Sequence, residues 1–119
     1  MITIALPMPP SVNRMYRVVY GPSRRVIKSE RYKTWERAAH GYYLEQGAHR
    51  MPKIQGHFRA HITLDESKRG RSDADNRAKA TLDALQTFGL IANDKYCDEV
   101  TIGWGRAPAG CIVTLSPVE

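Results

Sequence analysis

Residues 57–64 alternate strictly between apolar and polar side chains, with Phe58, Ala60, Ile62 and Leu64 on one side and His57, Arg59, His61 and Thr63 on the other. A period of two is the signature of a strand with one face buried and the other in water. Such a strand needs a second layer over its apolar side, and two segments have the helical period to supply it. Ser29 is placed to cap a helix running to about residue 47, with Tyr32, Trp35, Ala39 and Tyr42 on one face. A second helix is predicted from about residue 74 to 87, with a stripe of Ala74, Ala78, Leu82 and Leu85, and Gly89 placed to end it.

Residues 2–6 read as a short strand stopped at Pro7, followed by a proline-rich stretch, Pro7-Met8-Pro9-Pro10, that neither a ladder nor a helix accepts. Met15 to Tyr20 and Val26-Ile27, separated by Gly21-Pro22-Ser23, predict a basic hairpin or arm. Residues 98–106 and 110–115 read as two strands around Pro108-Ala109-Gly110, expected to form a hairpin. The expectation is an α+β fold: a small mixed sheet with two helices on one face. With 119 residues, no repeat and no linker, residues 1–119 are expected to form a single domain. No run approaches the roughly 18 apolar residues of a membrane span. The N-terminus lacks the basic start of a signal peptide, and two cysteines are too few for a disulfide framework, so a cytoplasmic setting is expected.

The formal charge of +6 is lopsided. Residues 1–37 carry eight basic side chains against Glu30 and Glu36, so the remaining chain is neutral. A one-sided basic segment suits a polyanion such as DNA, and it also suits a merely solubilising surface. The candidate DNA contacts are Arg14, Arg17, Arg24, Arg25 and Lys28 on the arm, with Arg69 and Arg71 in the basic loop Ser67-Lys68-Arg69-Gly70-Arg71-Ser72.

The acidic residues fall at informative places. Asp73 and Asp75 stand at the head of the second helix, immediately after the basic loop, and Asp94 follows in a later connection. Asp-x-Asp before a helix has a simple reading, because carboxylates cap free amides and meet the positive end of the dipole. It has a chemical reading too: hard oxygen ligands without Cys or His suit Mg²⁺, with Mn²⁺ possible, and not zinc. A 14-residue helix is about 20 Å long, so Asp94 joins the pair only if residues 86–94 run back along it. Lys79 lies one turn after Asp75 on the same face, where its charge would meet that developing on a phosphodiester under attack. Asp83 continues the row, and an ion pair with Lys79 accounts for it equally well.

The stretch Arg69-Gly70-Arg71-Ser72-Asp73-Ala74-Asp75-Asn76-Arg77-Ala78-Lys79-Ala80-Thr81-Leu82-Asp83-Ala84-Leu85, followed by Gly89-Leu90-Ile91-Ala92-Asn93-Asp94 and a C-terminal strand pair, resembles the RusA-type Holliday junction resolvases. The opening Leu6-Pro7-Met8-Pro9-Pro10-Ser11-Val12-Asn13-Arg14-Met15-Tyr16-Arg17 is similar to that family's proline-rich start. The resemblance covers most of the chain, in order. It implies a homodimeric, Mg²⁺-dependent endonuclease, bacterial or phage-encoded, that nicks two opposed strands of a four-way DNA junction. Carried over by position, Asp73, Asp75 and Asp94 would bind metal, Lys79 would be the catalytic cation, and Asn76 would orient a ligand. The family often has Asp-Asp where this chain has Asn93-Asp94, and a polar residue where it has Val12.

Two other functions fit the same residues. In a non-catalytic DNA-binding protein the acids would only cap the helix, and a related nuclease would prefer forks or flaps. His57 and His61 are expected to be ordinary strand-face residues, because H-x-x-x-H on a strand lacks the helical geometry of a zinc pair. Cys97 and Cys111 are expected to be core or edge residues. Tyr16 and Tyr20 are the aromatic side chains placed to stack on exposed bases.

Overall fold

A computed structural model describes residues 1–70 and 73–118. Six strands and two α-helices follow in the order β1 (Ile2–Pro7), β2 (Tyr16–Val19), β3 (Arg25–Lys28), α1 (Glu30–Glu45), β4 (Phe58–Asp65), α2 (Ala78–Phe88), β5 (Cys97–Gly105) and β6 (Gly110–Pro117). The main sheet has the order β1-β6-β4-β5, with β4 antiparallel to β6 and parallel to β5. One face is the core: Ile4 and Leu6, Phe58, Ala60, Ile62 and Leu64, and Cys111, Val113 and Leu115 are all buried. Registered pairs Ile4↔Val113 and Ile62↔Val113 carry this layer across three strands. The opposite face presents Arg59, His61 and Thr101 to solvent. The expected α+β architecture, a mixed sheet with two helices, is what forms.

The strands at 97–105 and 110–117 form, but not as the expected hairpin, because β4 lies between them. The most regularly alternating strand takes a central position, where both of its edges are hydrogen-bonded and its apolar face is fully covered. The connection 106–109 must then cross the end of β4, a distance of roughly 10 Å for two strand spacings. Asp65, the last residue of β4, is buried there; it accepts the Ala107 N–H at 3.0 Å and the Ser67 hydroxyl. These bonds hold its carboxyl below the usual carboxylate range. At the same corner a Cβ on Gly110 (φ 142°) would lie 2.1 Å from the Met8 nitrogen, so no other residue fits where β6 passes the Pro7–Met8 backbone.

In α1 the Ser29 hydroxyl accepts the Tyr32 N–H at 3.1 Å and donates to the Arg14 carbonyl at 2.5 Å. The same residue therefore caps the helix and closes the base of the β2–β3 hairpin. The buried face is Tyr32, Trp35, Ala39 and Tyr43, whereas Tyr42, expected on it, is exposed. At 100° per residue Tyr43 falls about 20° from Tyr32 around the axis and Tyr42 about 80° away. Trp35 ties α1 to the sheet by donating from Nε1 to the Pro7 carbonyl at 3.0 Å. The Gln46 amide pairs with the free edge of β1, accepting the Ala5 N–H at 2.7 Å and donating to its carbonyl at 2.6 Å.

The second helix also starts differently from expectation. A 3-10 turn covers Asp75–Arg77, and the α-helix begins at Ala78. Its buried side is Ala80, Thr81, Leu82, Ala84 and Leu85, while Ala74 and Ala78 are only half-buried. Leu82 and Leu85 of the expected stripe are buried, whereas Ala78 stands in the first turn and Ala74 lies before the helix. Gly89 ends the helix as expected, at φ 90°, and the Leu90 N–H returns to the Leu85 carbonyl at 3.0 Å. Among the described residues no helix is long and apolar enough to cross a membrane.

Candidate active site

The candidate acids are arranged along α2. Asp73 and Asp75 precede it and are exposed; neither the turn at Asp75 nor the helix at Ala78 starts with a side-chain capping hydrogen bond. The capping role that would make these carboxylates ordinary is therefore not the one they fill at either start. Asn76 is half-buried in the same turn. Beside it Arg77 donates from Nη1 to the Pro9 carbonyl at 2.6 Å, anchoring the head of α2 to the buried proline stretch.

One turn on, Lys79 Nζ lies 3.3 Å from Asp83 Oδ2. The Asp83 carboxylate pushes the Lys79 ammonium up from its ordinary value, with smaller contributions from Tyr16 and Asp94. Lys79 is thus held protonated in a negative field. Asp94 is brought to this face by two short bonds. The Asn93 Oδ1 caps the following turn by accepting the Lys95 N–H at 2.9 Å, and the Asp94 N–H donates to Gln86 Oε1 at 2.9 Å. Asn93 is therefore a cap, a role that its side-chain amide oxygen fills at this position.

The return of the chain along α2 goes as far as Gln86. The structure groups Lys79, Asp83 and Asp94 on one side of the helix and leaves Asp73 and Asp75 at its head; among the described residues no three metal-ligating groups gather around one point. The donors match Mg²⁺ in kind, being carboxylate oxygens free of sulfur and imidazole. Sequence reasoning missed Gln86 and left Asp83 with no settled role. Their signal was spacing, since Lys79, Asp83 and Gln86 stand at i, i+4 and i+7.

The hairpin stands next to this face. Tyr16 packs edge-on against Tyr32, with ring centroids 5.9 Å apart, and burial together with Asp83 and Glu36 pushes the Tyr32 phenol up. Arg14, Arg17, Arg24 and Arg25 are exposed, and no ion pair among the described residues engages them. Lys28 differs, with Glu36 at 3.1 Å and the Tyr32 ring centroid at 5.3 Å, so its charge is already partly answered. Arg69 lies over the Trp104 ring, 5.7 Å from its centroid. Arg71 and Ser72 are outside the described residues. Tyr20 at the hairpin tip is 79% exposed.

The histidines do not form a metal pair. His57 precedes β4 and bonds Asp98 through Nδ1 at 2.6 Å, and His61 lies on the open sheet face. Cys111 is buried, Cys97 half-buried, and both are free.

No curated protein matches the chain. The family model described as endodeoxyribonuclease RusA matches residues 7–115, from the proline stretch into β6. That span contains the hairpin, both helices, the Asp73–Lys79 segment and Asp94. The chain belongs to the RusA endodeoxyribonuclease family.

Proposed function

We propose that this protein is a Mg²⁺-dependent endonuclease that acts as a homodimer on four-way DNA junctions, making paired nicks. The observation that carries the reading is the row of charged groups along α2. Asp75 stands at its head, Lys79 is fixed by Asp83, and Asp94 is docked by Gln86, with a basic hairpin alongside. Asp73, Asp75 and Asp94 are the residues that would hold the metal, which when bound lowers the pKa of a water and neutralises phosphate oxygens. Lys79 contributes a fixed positive charge beside the scissile phosphate, kept protonated and oriented by Asp83. Asn76, in the turn between Asp75 and the helix, is assigned to orienting a ligand carboxylate. Arg14, Arg17, Arg24 and Arg25 hold phosphates on the flanking arm, and Tyr16 and Tyr20 offer rings to unpaired bases.

The dimer follows from the substrate. A four-way junction has two equivalent scissile phosphates related by a two-fold axis, and a C2 dimer sets one site at each. The test compares nicking of a mobile four-way junction, a fork and linear duplex, each with Mg²⁺ and with EDTA. The proposal expects paired, Mg²⁺-dependent nicks in the junction. Preference for the fork would shift the substrate, and cleavage of nothing would return the protein to DNA binding alone.

A further inference from the structure

Of the eight basic side chains in residues 1–37, Arg14 and the hairpin account for five. The other three, Arg31, Lys33 and Arg37, stand on α1. Lys33 and Arg37 share a stripe with Glu36 and His40, at i, i+3, i+4 and i+7, which sets all four on one side of the helix. That stripe is one wall of a groove of about 460 Å³ between the two helices, and Thr87 and Phe88 at the end of α2 are the other.

The groove is cationic once its ion pairs are resolved. Glu36, the acid on the wall, is answered by Lys28 at 3.1 Å and is largely covered. Lys33 meets Glu30 at 3.3 Å, an exposed pair that water screens and that a second anion can replace. Arg37 is exposed and makes no ion pair among the described residues; it donates from Nη2 to the Thr34 hydroxyl at 3.3 Å. Its planar fork is suited to two oxygens of one phosphate. The floor is aromatic. Phe88 packs against His40 and Tyr43, with ring centroids 4.9 Å and 5.1 Å apart, so the exposed imidazole is held in the wall with an N–H to donate in either protonation state. Thr87 adds an exposed hydroxyl.

The groove continues the candidate active face. Lys28, which ends the hairpin, holds Glu36 on the groove wall, and Thr87 follows Lys79 and Asp83 at i+8 and i+4 along α2. At 1.5 Å per residue, Thr87 stands about 12 Å beyond Lys79. One strand of duplex DNA carries a phosphate about every 3.4 Å of helix axis, so this is the distance of roughly three or four phosphates.

We infer that the α1–α2 groove is a second phosphate subsite, in which Lys33, Arg37, His40 and Thr87 hold the DNA backbone roughly three or four nucleotides from the scissile phosphate. The inference rests on the DNA-cleaving reading of the α2 face and adds the place where a junction arm leaves it. The occupant is a nucleic-acid backbone because the groove's cations run on from the basic hairpin and from Lys79, at a spacing that one strand can span. A backbone gripped at two separated points has its direction fixed across the site, which is how phosphate contacts set register.

The test uses the full chain and a four-way junction, in EDTA so that binding is read apart from cleavage. A single uncharged methylphosphonate linkage replaces one phosphate at a time on either side of the nick. Wild-type affinity should fall about fivefold or more for a linkage three or four nucleotides away. Lys33→Ala/Arg37→Ala keeps good helix formers on the surface of α1, and circular dichroism checks its fold. It should bind the unmodified junction about tenfold more weakly, with the slope of log K against log salt lower by about one or two. It should also lose the response to that linkage, because its partner is gone. Arg50→Ala/Lys53→Ala takes the same charge from the exposed segment between α1 and β4 and should change binding little.

Wild-type affinity and slope in the Lys33→Ala/Arg37→Ala protein overturn the subsite and leave the groove's cations to solubility or to an acidic protein. An undiminished response to the linkage in that protein overturns it too, as does equal weakening by Arg50→Ala/Lys53→Ala, which reduces the effect to net charge. In each case Mg²⁺-dependent nicking by the wild type keeps the hydrolytic reading. A junction that is bound but never nicked, with a linkage response that the double variant loses, keeps the subsite and overturns hydrolysis. A wild-type chain that binds no junction overturns both.

Discussion

The Gln86 side-chain carbonyl accepts the backbone N–H of Asp94 at 2.9 Å, and this bond fixes where the last candidate acid stands relative to α2. Gln86 lies one turn beyond Asp83 on the face that carries Lys79. The four residues between Gly89 and Asp94 are held by the buried Leu90 and Ile91 and by the bonds of Ile54 to Leu90 and Ala92, and the Gln86 bond adds a tie at Asp94 itself.

Gln86→Ala should therefore lower cleavage more than it lowers stability. An exposed hydrogen bond of this kind contributes about 1 kcal/mol to folding. Single-turnover cleavage of a four-way junction, measured beside a denaturant melt, should show a rate loss of about tenfold or more, since misplacing a reacting group is felt steeply. Equal rates in the two proteins would mean that Asp94 is positioned by something else.

The Lys79–Asp83 pair has a pH signature. Asp83 raises the Lys79 pKa above its ordinary 10.5. The pair's stabilisation is therefore complete below the unfolded value and is lost as pH rises through the folded one. Lys79 is half exposed, so the contribution is at most about 0.5 kcal/mol. Asp83→Asn should be slightly less stable than wild type at pH 8, with the gap closing above pH ~10.5. Cleavage should fall further than this small loss implies, because Lys79 is no longer oriented.

Asp65 carries the opposite dependence. Its carboxyl is held below the ordinary value of 3.8 by Ser67 and Ala107. Its contribution is present above the unfolded pKa and is lost as pH falls through the lower folded one. Asp65→Ala should lower Tm by several degrees at neutral pH, since it leaves the buried Ala107 N–H without its acceptor. The difference from wild type should shrink in acid, where both lack the carboxylate.

The arm is tested by salt. Replacing Arg17, Arg24 and Arg25 with Ala should weaken junction binding and flatten the plot of log K against log salt by about one unit for each phosphate no longer neutralised. An unchanged slope would remove the hairpin from the DNA interface.

What the sequence disclosed follows the range of the forces involved. The alternation over 58–64, the Ser29 cap and the Gly89 stop are set by neighbours within a few residues, and all three formed as read. Strand pairing is not local. Residues 97–105 and 110–117 are separated by a turn that suits a hairpin, and only the rest of the sheet decides that β4 enters between them and that Asp65 pins the crossing loop. The head of α2 is likewise set from a distance, by the bond from Arg77 to Pro9, 68 residues earlier. For the site, the Lys79–Asp83 pair was legible from helical spacing, whereas Asp75 stands in the 3-10 turn that precedes the helix. The bond between Gln86 and Asp94 depends on how the chain leaves the helix, which periodicity does not encode.

The central claim is that the carboxylates around α2 perform hydrolysis and do not merely support the fold. Asp75→Asn tests it most directly, because Asp75 is exposed and caps nothing at the start of α2. Four-way junction binding and Mg²⁺-dependent nicking are measured on the same preparation. The account predicts binding equal to or tighter than wild type, through lost repulsion of phosphate, with nicking abolished. Nicking at the wild-type rate by a folded Asp75→Asn protein would contradict it.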